Sequence, residues 1–215
     1  MGHIVRDTGW CEIDVDTTVG RVFLQERWQY NWLTSPGTTA WTQKERRDFH
    51  NRADQSIWAA WSNHAALTVA GKSPFARNFA GKLIPINLDI RWVTARPHWT
   101  VNVTKVPPGN YRQSNVQWTA RVINLDTEDF TTRTICSGTP RACQTQIPVA
   151  HEFGHTIGNT STLARGDEYP DASPHSTDTG SIMHSGHQLR SRHFKTILDE
   201  MNRMIPDTTF TVGSV

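Results

Sequence analysis

Cysteine is scarce: Cys11, Cys136 and Cys143 are the only three in the chain. An odd number leaves at least one thiol unpaired within a monomer. None stands in a CxxC spacing, so they are not read as zinc ligands. Cys136 and Cys143 flank "SGTPRA", a loop short enough to close with a disulfide in an oxidising compartment; two free, partly buried thiols are the alternative. Long apolar runs are missing as well, and no stretch approaches the length of a membrane span. The opening "MGHIVRDTGWCEIDVD" has no apolar centre, so no signal peptide is expected. The expected location is the cytoplasm, or the exterior by a signal-peptide-independent route. Excess charge of one sign is absent too: 22 Lys+Arg against 20 Asp+Glu leave a formal net charge of +2, which gives no footprint for nucleic acid. Repeats, low-complexity tracts and linker-like charge runs are lacking. The length of 215 residues suits one domain, with a core large enough to fold without metal or disulfides.

Tryptophan, in contrast, is abundant, with nine residues, most of them expected in the core or half-buried on strands. Apolar and polar residues alternate in "CEIDVD" and "RVFLQERW" before Leu33, which predicts strands. A helix follows, opened by a capping box of Thr42 and Glu45. Its apolar face is Phe49, Ala53, Ile57, Ala60 and Trp61. "GKSPF" reads as a loop. Ile84 to Val93, Trp99 to Val106 and Asn115 to Asp126 read as strands. Pro148 suits the first position of a second helix, which should end at Gly158, a residue suited to a left-handed cap. Phe194, Ile197, Leu198, Met201, Met204 and Ile205 give a last amphipathic helix.

That second helix carries His151-Glu152-Phe153-Gly154-His155, an HExxH motif. Histidines four apart lie one turn apart on the same face, so both imidazoles can reach one ion. Zinc suits two imidazoles plus an oxygen ligand. Glu152 stands where it can take a proton from a water and pass it to a leaving amine. The expected reaction is peptide-bond hydrolysis with one catalytic zinc ion, and Glu152 is the expected general base. The alternative is a catalytically inactive, zinc-stabilised peptide-binding or structural module.

The motif extends to HExxHxxG at Gly158, and "SIMH" follows at Ser181 to His184. With the last helix, these segments resemble the metzincin clan of zinc peptidases, with astacin-like and snapalysin-like features. The resemblance implies an α+β fold: a mixed twisted sheet, an early helix, an active-site helix, a Met-turn and a C-terminal helix. It implies a single catalytic domain over 1–215, with an upper part to about residue 158 and a lower part over 159–215. Met183 would form the apolar floor of the metal site. The chain departs from the clan where Ser161 occupies the third-ligand position; aligning past "NTSTLARG" puts Asp167 there. Glu168 and His175 are the alternatives, with His184 and His187 behind them. The tyrosine that follows the Met-turn in astacins is replaced by Ser185, leaving Tyr169, His184 and His187 as candidate transition-state stabilisers. The clan binds its protein or peptide substrate along an edge strand, here Asn115 to Asp126, where Trp118 would face a substrate side chain or pack in the core. A protease toxin or effector delivered into other cells is a narrower form of this expectation.

Overall fold

The computed structural model describes residues 2–137 and 142–215. In chain order the strands and helices are β1 (His3–Asp7), β2 (Glu12–Asp16), β3 (Arg21–Thr34), α1 (Gln43–Trp61), β4 (Ala65–Gly71), α2 (Pro74–Asn78), β5 (Ile84–Trp92), β6 (Trp99–Lys105), β7 (Asn115–Gln117), β8 (Val122–Asp126), β9 (Arg133–Ser137), β10 (Ala142–Gln146), α3 (Pro148–Thr156), α4 (Lys195–Met201) and β11 (Thr208–Ser214). The fold is α+β. Nine of these strands form one mixed sheet in the order β11-β4-β5-β3-β6-β8-β7, with β2 pairing to β3 and β1 to β2; β9 and β10 form a separate hairpin.

The long strand β3 organises the sheet. It runs parallel to β5 over Val22–Trp28 and parallel to β6 over Trp28–Thr34, and pairs antiparallel with β2 over Arg21–Gln25. Its period-two alternation turns Val22, Leu24, Trp28 and Tyr30 into the core. Glu26 shares that inward row, fully buried. Its Oε2 accepts from Trp28 Nε1 at 2.8 Å. Burial pushes its pKa up to about 8 against that bond and one to Thr156.

Helix α1 opens as expected, with both halves of the Thr42–Glu45 capping box in place. Phe49, Ala53, Ile57 and Trp61 face inward at successive turns. The helix covers the part of β5 that β4 does not pair: the Ser62 hydroxyl accepts from the Leu88 N–H at 2.8 Å and donates to the Leu88 carbonyl at 2.6 Å. Trp61 Nε1 donates to the Ala150 carbonyl at 2.9 Å, which ties α1 to α3.

Several expectations need correction. Asn115–Asp126 is two strands, not one: β7 and β8 are an antiparallel hairpin turning at Arg121, with φ 56°. "GKSPF" opens a short helix, with Ser73 as its side-chain cap and Pro74 in its first turn. The last amphipathic helix stops at Met201 because Ile205 precedes Pro206, which disfavours helical backbone. Asn202 instead accepts from the Phe210 N–H at 2.6 Å, and the chain turns into β11. Among the tryptophans, Trp10, Trp28, Trp41, Trp61 and Trp99 are buried and only Trp58 is largely exposed. Cys136 and Cys143 face each other across β9 and β10 and form a disulfide, while Cys11 is free and buried. Among the described residues no helix is long and apolar enough to cross a membrane.

Candidate metal centre

Helix α3 begins at Pro148, and its Val149 N–H donates to the Asp129 carbonyl at 3.1 Å. It ends at Thr156, two residues short of the expected stop, and Gly158 then takes φ 101°. One turn of α3 sets His151 and His155 side by side, with ring centroids 4.9 Å apart. Asp167 closes the triangle. Its Oδ1 lies 3.1 Å from His151 Nε2 and 3.2 Å from His155 Nε2. One ligand atom from each of these residues lies within 4.8 Å of the others, a grouping that could hold a metal ion.

The outer atoms of the rings are also spoken for. His151 Nδ1 donates to the Ile182 carbonyl at 2.7 Å, and His155 Nδ1 donates to the Asn159 carbonyl at 2.5 Å. Carbonyls accept only, so each fixes a proton on Nδ1 and leaves Nε2 with a lone pair in the neutral ring. Two such lone pairs and a carboxylate oxygen then converge, which is unfavourable unless positive charge lies among them. The donor set therefore fits a divalent cation that accepts nitrogen and oxygen. Protons are the other way to satisfy it. Burial works most strongly against charge on the His155 ring, but the bonds to Asp167 and Asn159 and the charges of Glu152 and Asp167 together outweigh it and raise the pKa. Burial likewise opposes charge on Asp167, and the two histidines overcome it, holding the carboxyl far below the usual range.

Glu152 is 8% exposed, and its Oε2 has no hydrogen-bond partner among the described residues. Burial raises its pKa, opposed by the adjacent histidines. Tyr169, half exposed, donates its hydroxyl to Asp167 Oδ2 at 2.9 Å. Met183 is fully buried against the inner face of α3. A Cβ on Gly154 would sit 2.3 Å from Met183 Sδ, so the glycine inside the HExxH motif makes room for the sulfur. The turn around Met183 is held from below by Gln146, whose Nε2 donates to the carbonyls of Ile182, His184 and Gly186 at 2.9, 3.3 and 3.2 Å.

The other candidates stand apart from the three converging atoms. Glu168 turns away and accepts from Arg192 at 2.6 and 2.8 Å. His175 and His187 do not line the cleft, whereas His184 does. Both ring nitrogens of His184 are engaged, with Ser185 Oγ at 2.9 Å and the Ser176 carbonyl at 3.0 Å. Trp118 packs between Trp10 and Trp99, with centroids 5.9 and 5.7 Å away, and the Arg121 guanidinium lies over it. It faces the core and not the cleft.

The cluster of His151, His155 and Asp167 lies in a cleft of about 930 Å³ that Asn115 and Val116 of the edge strand β7 help to line. The lining residues that sequence reasoning did not single out include Tyr111, Arg133 and Gln146. Tyr111 follows a turn-rich stretch and the other two lie on a hairpin without an apolar face, so nothing in the local pattern marks them. No protein-family model matches the chain, and no curated protein or solved structure matches it either.

Proposed function

We propose that the chain is a zinc-dependent endopeptidase of metzincin-like architecture. One observation carries the reading. Three lone-pair atoms converge on one point, on an open cleft, beside a buried carboxylate oxygen of Glu152 with no hydrogen-bond partner among the described residues. His151, His155 and Asp167 would hold the ion. The ion would supply an acidified water, with a pKa near 7, and polarise the scissile carbonyl. Glu152 accepts a proton from the attacking water and returns it to the departing amine. Burial raises the affinity of Glu152 for that proton, which suits a group that must carry it between two steps. Tyr169 orients Asp167 through Oδ2. The peptide lies along β7, whose only strand partner among the described residues is β8.

The order of elements supports the same reading: a mixed sheet, then α3, then the turn holding Met183, then α4. A catalytically inactive, zinc-stabilised module would need a fourth side chain to close the site, and His175 and His187 stand outside the cluster.

The test pairs metal content with turnover. Purified parent and Glu152→Gln proteins should each carry one zinc ion, and the variant should lose hydrolysis by about 10²–10⁴-fold, the range for general base catalysis. Equal cleavage by both proteins, or a parent that binds no zinc, overturns the proposal.

A further inference from the structure

The wall of the cleft beside β7 is the β9–β10 hairpin. Alternation along β9 sends Arg133 and Ile135 into the cleft, while Cys136, on the opposite face, is bridged to Cys143. Gln146 of β10 pairs with Arg133 in register, and only Ile147 separates it from α3. Arg133 thus stands on a cross-linked hairpin, close to the start of the helix that carries the metal ligands.

Its surroundings are those of a cation waiting for an anion. Leaving aside the histidines, Arg133 is the only basic residue lining the cleft among the described residues. Its guanidinium lies on the face of the Tyr111 ring, 3.1 Å from the centroid. Stacking of this kind uses the flat face of the guanidinium and leaves its N–H groups pointing outward in the plane, the geometry that binds a carboxylate through two parallel hydrogen bonds. Among the described residues no carboxylate forms an ion pair with it, and its Nε is buried without a hydrogen-bond partner. Asp126, whose charge it influences, is taken: its two carboxylate oxygens accept from the N–H groups of Arg112 and Glu128, each at 2.6 Å. The neighbouring lining residues Gln113, Ser114 and Asn115 are neutral and polar, so this wall offers charge and hydrogen bonds in place of a deep apolar pocket.

Resting on the endopeptidase reading, we infer that Arg133 is a specificity residue that selects substrates with an aspartate or glutamate side chain, whose carboxylate it binds from the β9 wall. Asp171, the other charged lining residue beyond the metal centre, repels an acidic side chain from its own part of the cleft and so helps to fix the direction of the peptide.

The experiment separates binding from turnover. The probes are N-acetylated, C-amidated, dye-labelled octapeptides of Gly, Ala and Ser in which one Asp, Asn or Lys is moved through every position. Binding to zinc-loaded Glu152→Gln protein is followed by fluorescence anisotropy. Asp should bind at least tenfold more tightly than Asn at one or two adjacent positions. Adding Arg133→Gln should abolish that difference while leaving the Asn peptides within twofold, and Arg133→Glu should shift the preference to Lys. Tyr111→Phe keeps the stacking face and should keep the preference. Equal binding of Asp and Asn peptides at every position, no binding of any peptide, or a preference that survives Arg133→Gln in protein with an unchanged melting temperature overturns the inference. With Glu152 intact, Arg133→Gln should raise KM for the Asp peptides alone. A uniform loss of kcat across all peptides would place Arg133 at the reacting atoms and refute a selecting role. Acidic preference in binding without any hydrolysis by the parent leaves the inference standing and removes the endopeptidase reading.

Discussion

Gly158 is where the chain leaves the helix bearing His151 and His155, and two independent constraints meet there. Its φ of 101° lies where L side chains are strained, and a Cβ would fall 2.2, 2.5 and 2.8 Å from Thr196 Oγ1, Cβ and Cγ2. The left-handed backbone costs a non-glycine residue about 1–2 kcal/mol, and forcing extra volume into a packed site costs about 1–3 kcal/mol. Gly158→Ala should therefore destabilise the protein by about 2–5 kcal/mol, a fall in melting temperature of about 4–20 °C for a chain of this size. The two contributions can be separated. Thr196→Gly removes all three clashing atoms, so a double-mutant cycle from urea unfolding should show about 1–3 kcal/mol of favourable coupling, with about 1–2 kcal/mol of backbone strain left in the double variant. The Thr196→Gly single variant accounts for its own lost bond to Arg165, which donates from Nη2 to Thr196 Oγ1 at 2.6 Å. A loss below 1 kcal/mol in Gly158→Ala, or full recovery in the double variant, would refute the reasoning.

Tyr169→Phe removes the hydroxyl that binds Asp167 Oδ2, and zinc affinity measured by competition with a chelating dye should weaken by about 10–100-fold, as for other groups that orient metal ligands. Glu26 titrates near 8 in the fold because it is buried, whereas the unfolded chain releases that proton near the ordinary pKa of about 4.3. The folded state therefore holds the extra proton between those values, so this residue makes stability fall as pH rises from about 4.3 to 8 and level off above. Thermal melts of Glu26→Gln should show a smaller fall between pH 5 and pH 8.5 than the parent; parallel curves would contradict the assignment. Replacing Cys136 and Cys143 together by serine opens a short loop, for which chain entropy allows at most about 2.5 kcal/mol of destabilisation. Chemical denaturation checks this, and a larger loss would mean that the hairpin is needed by the rest of the fold.

What could be read from the sequence was whatever is written in local spacing. The capping box at Thr42 and the i, i+4 apolar face of α1 are contained within one helix, as are the two histidines and the glutamate of α3. Strands β5 and β6 carry enough β-branched and apolar residues to mark themselves. The elements that were missed lack such marks. Strand β4, "AALTVAG", has alanines at positions of weak strand preference; it is a strand because Leu67 and Val69 bury against the core and β11 pairs alongside. Strand β11, "TTFTVGS", is the exception: its threonines and valine favour a strand, but its place in the sheet is set by pairing with β4 across more than a hundred residues of sequence. The β9–β10 hairpin is polar on both faces and rests on strand pairing and its disulfide. Trp118 shows the limit from the other side: composition allowed either the core or the cleft, and the turn at Arg121 decided for the core.

Asp167 is the case in which spacing misleads and topology repairs it. Eight residues, "NTSTLARG", separate it from Gly158, far more than a direct turn into the site requires, yet its carboxylate reaches both histidines. The excursion closes on itself. The Thr160 carbonyl accepts from the N–H groups of both Leu163 and Arg165, at 3.0 and 2.9 Å, and Ala164 makes the reversal with φ 54°. The chain thus leaves and re-enters at nearly one place, with Gly166 against the Ser161 backbone. Glu168 then pins the returning strand of chain: its N–H donates to the Met183 carbonyl at 2.8 Å, and its carboxylate binds Arg192, which also binds Asp178 at 2.6 Å. A closed bulge of this kind costs little more loop entropy than a short turn, and the ion-paired residue next to Asp167 supplies the rigidity that a ligand requires. Glu168, the alternative to Asp167 as a ligand from sequence, is instead the anchor that holds Asp167 against the two histidines. Arg192→Met should therefore weaken zinc binding without touching any ligating atom. Unchanged zinc affinity in that variant, measured with the same chelating dye, would show that the bulge alone positions Asp167.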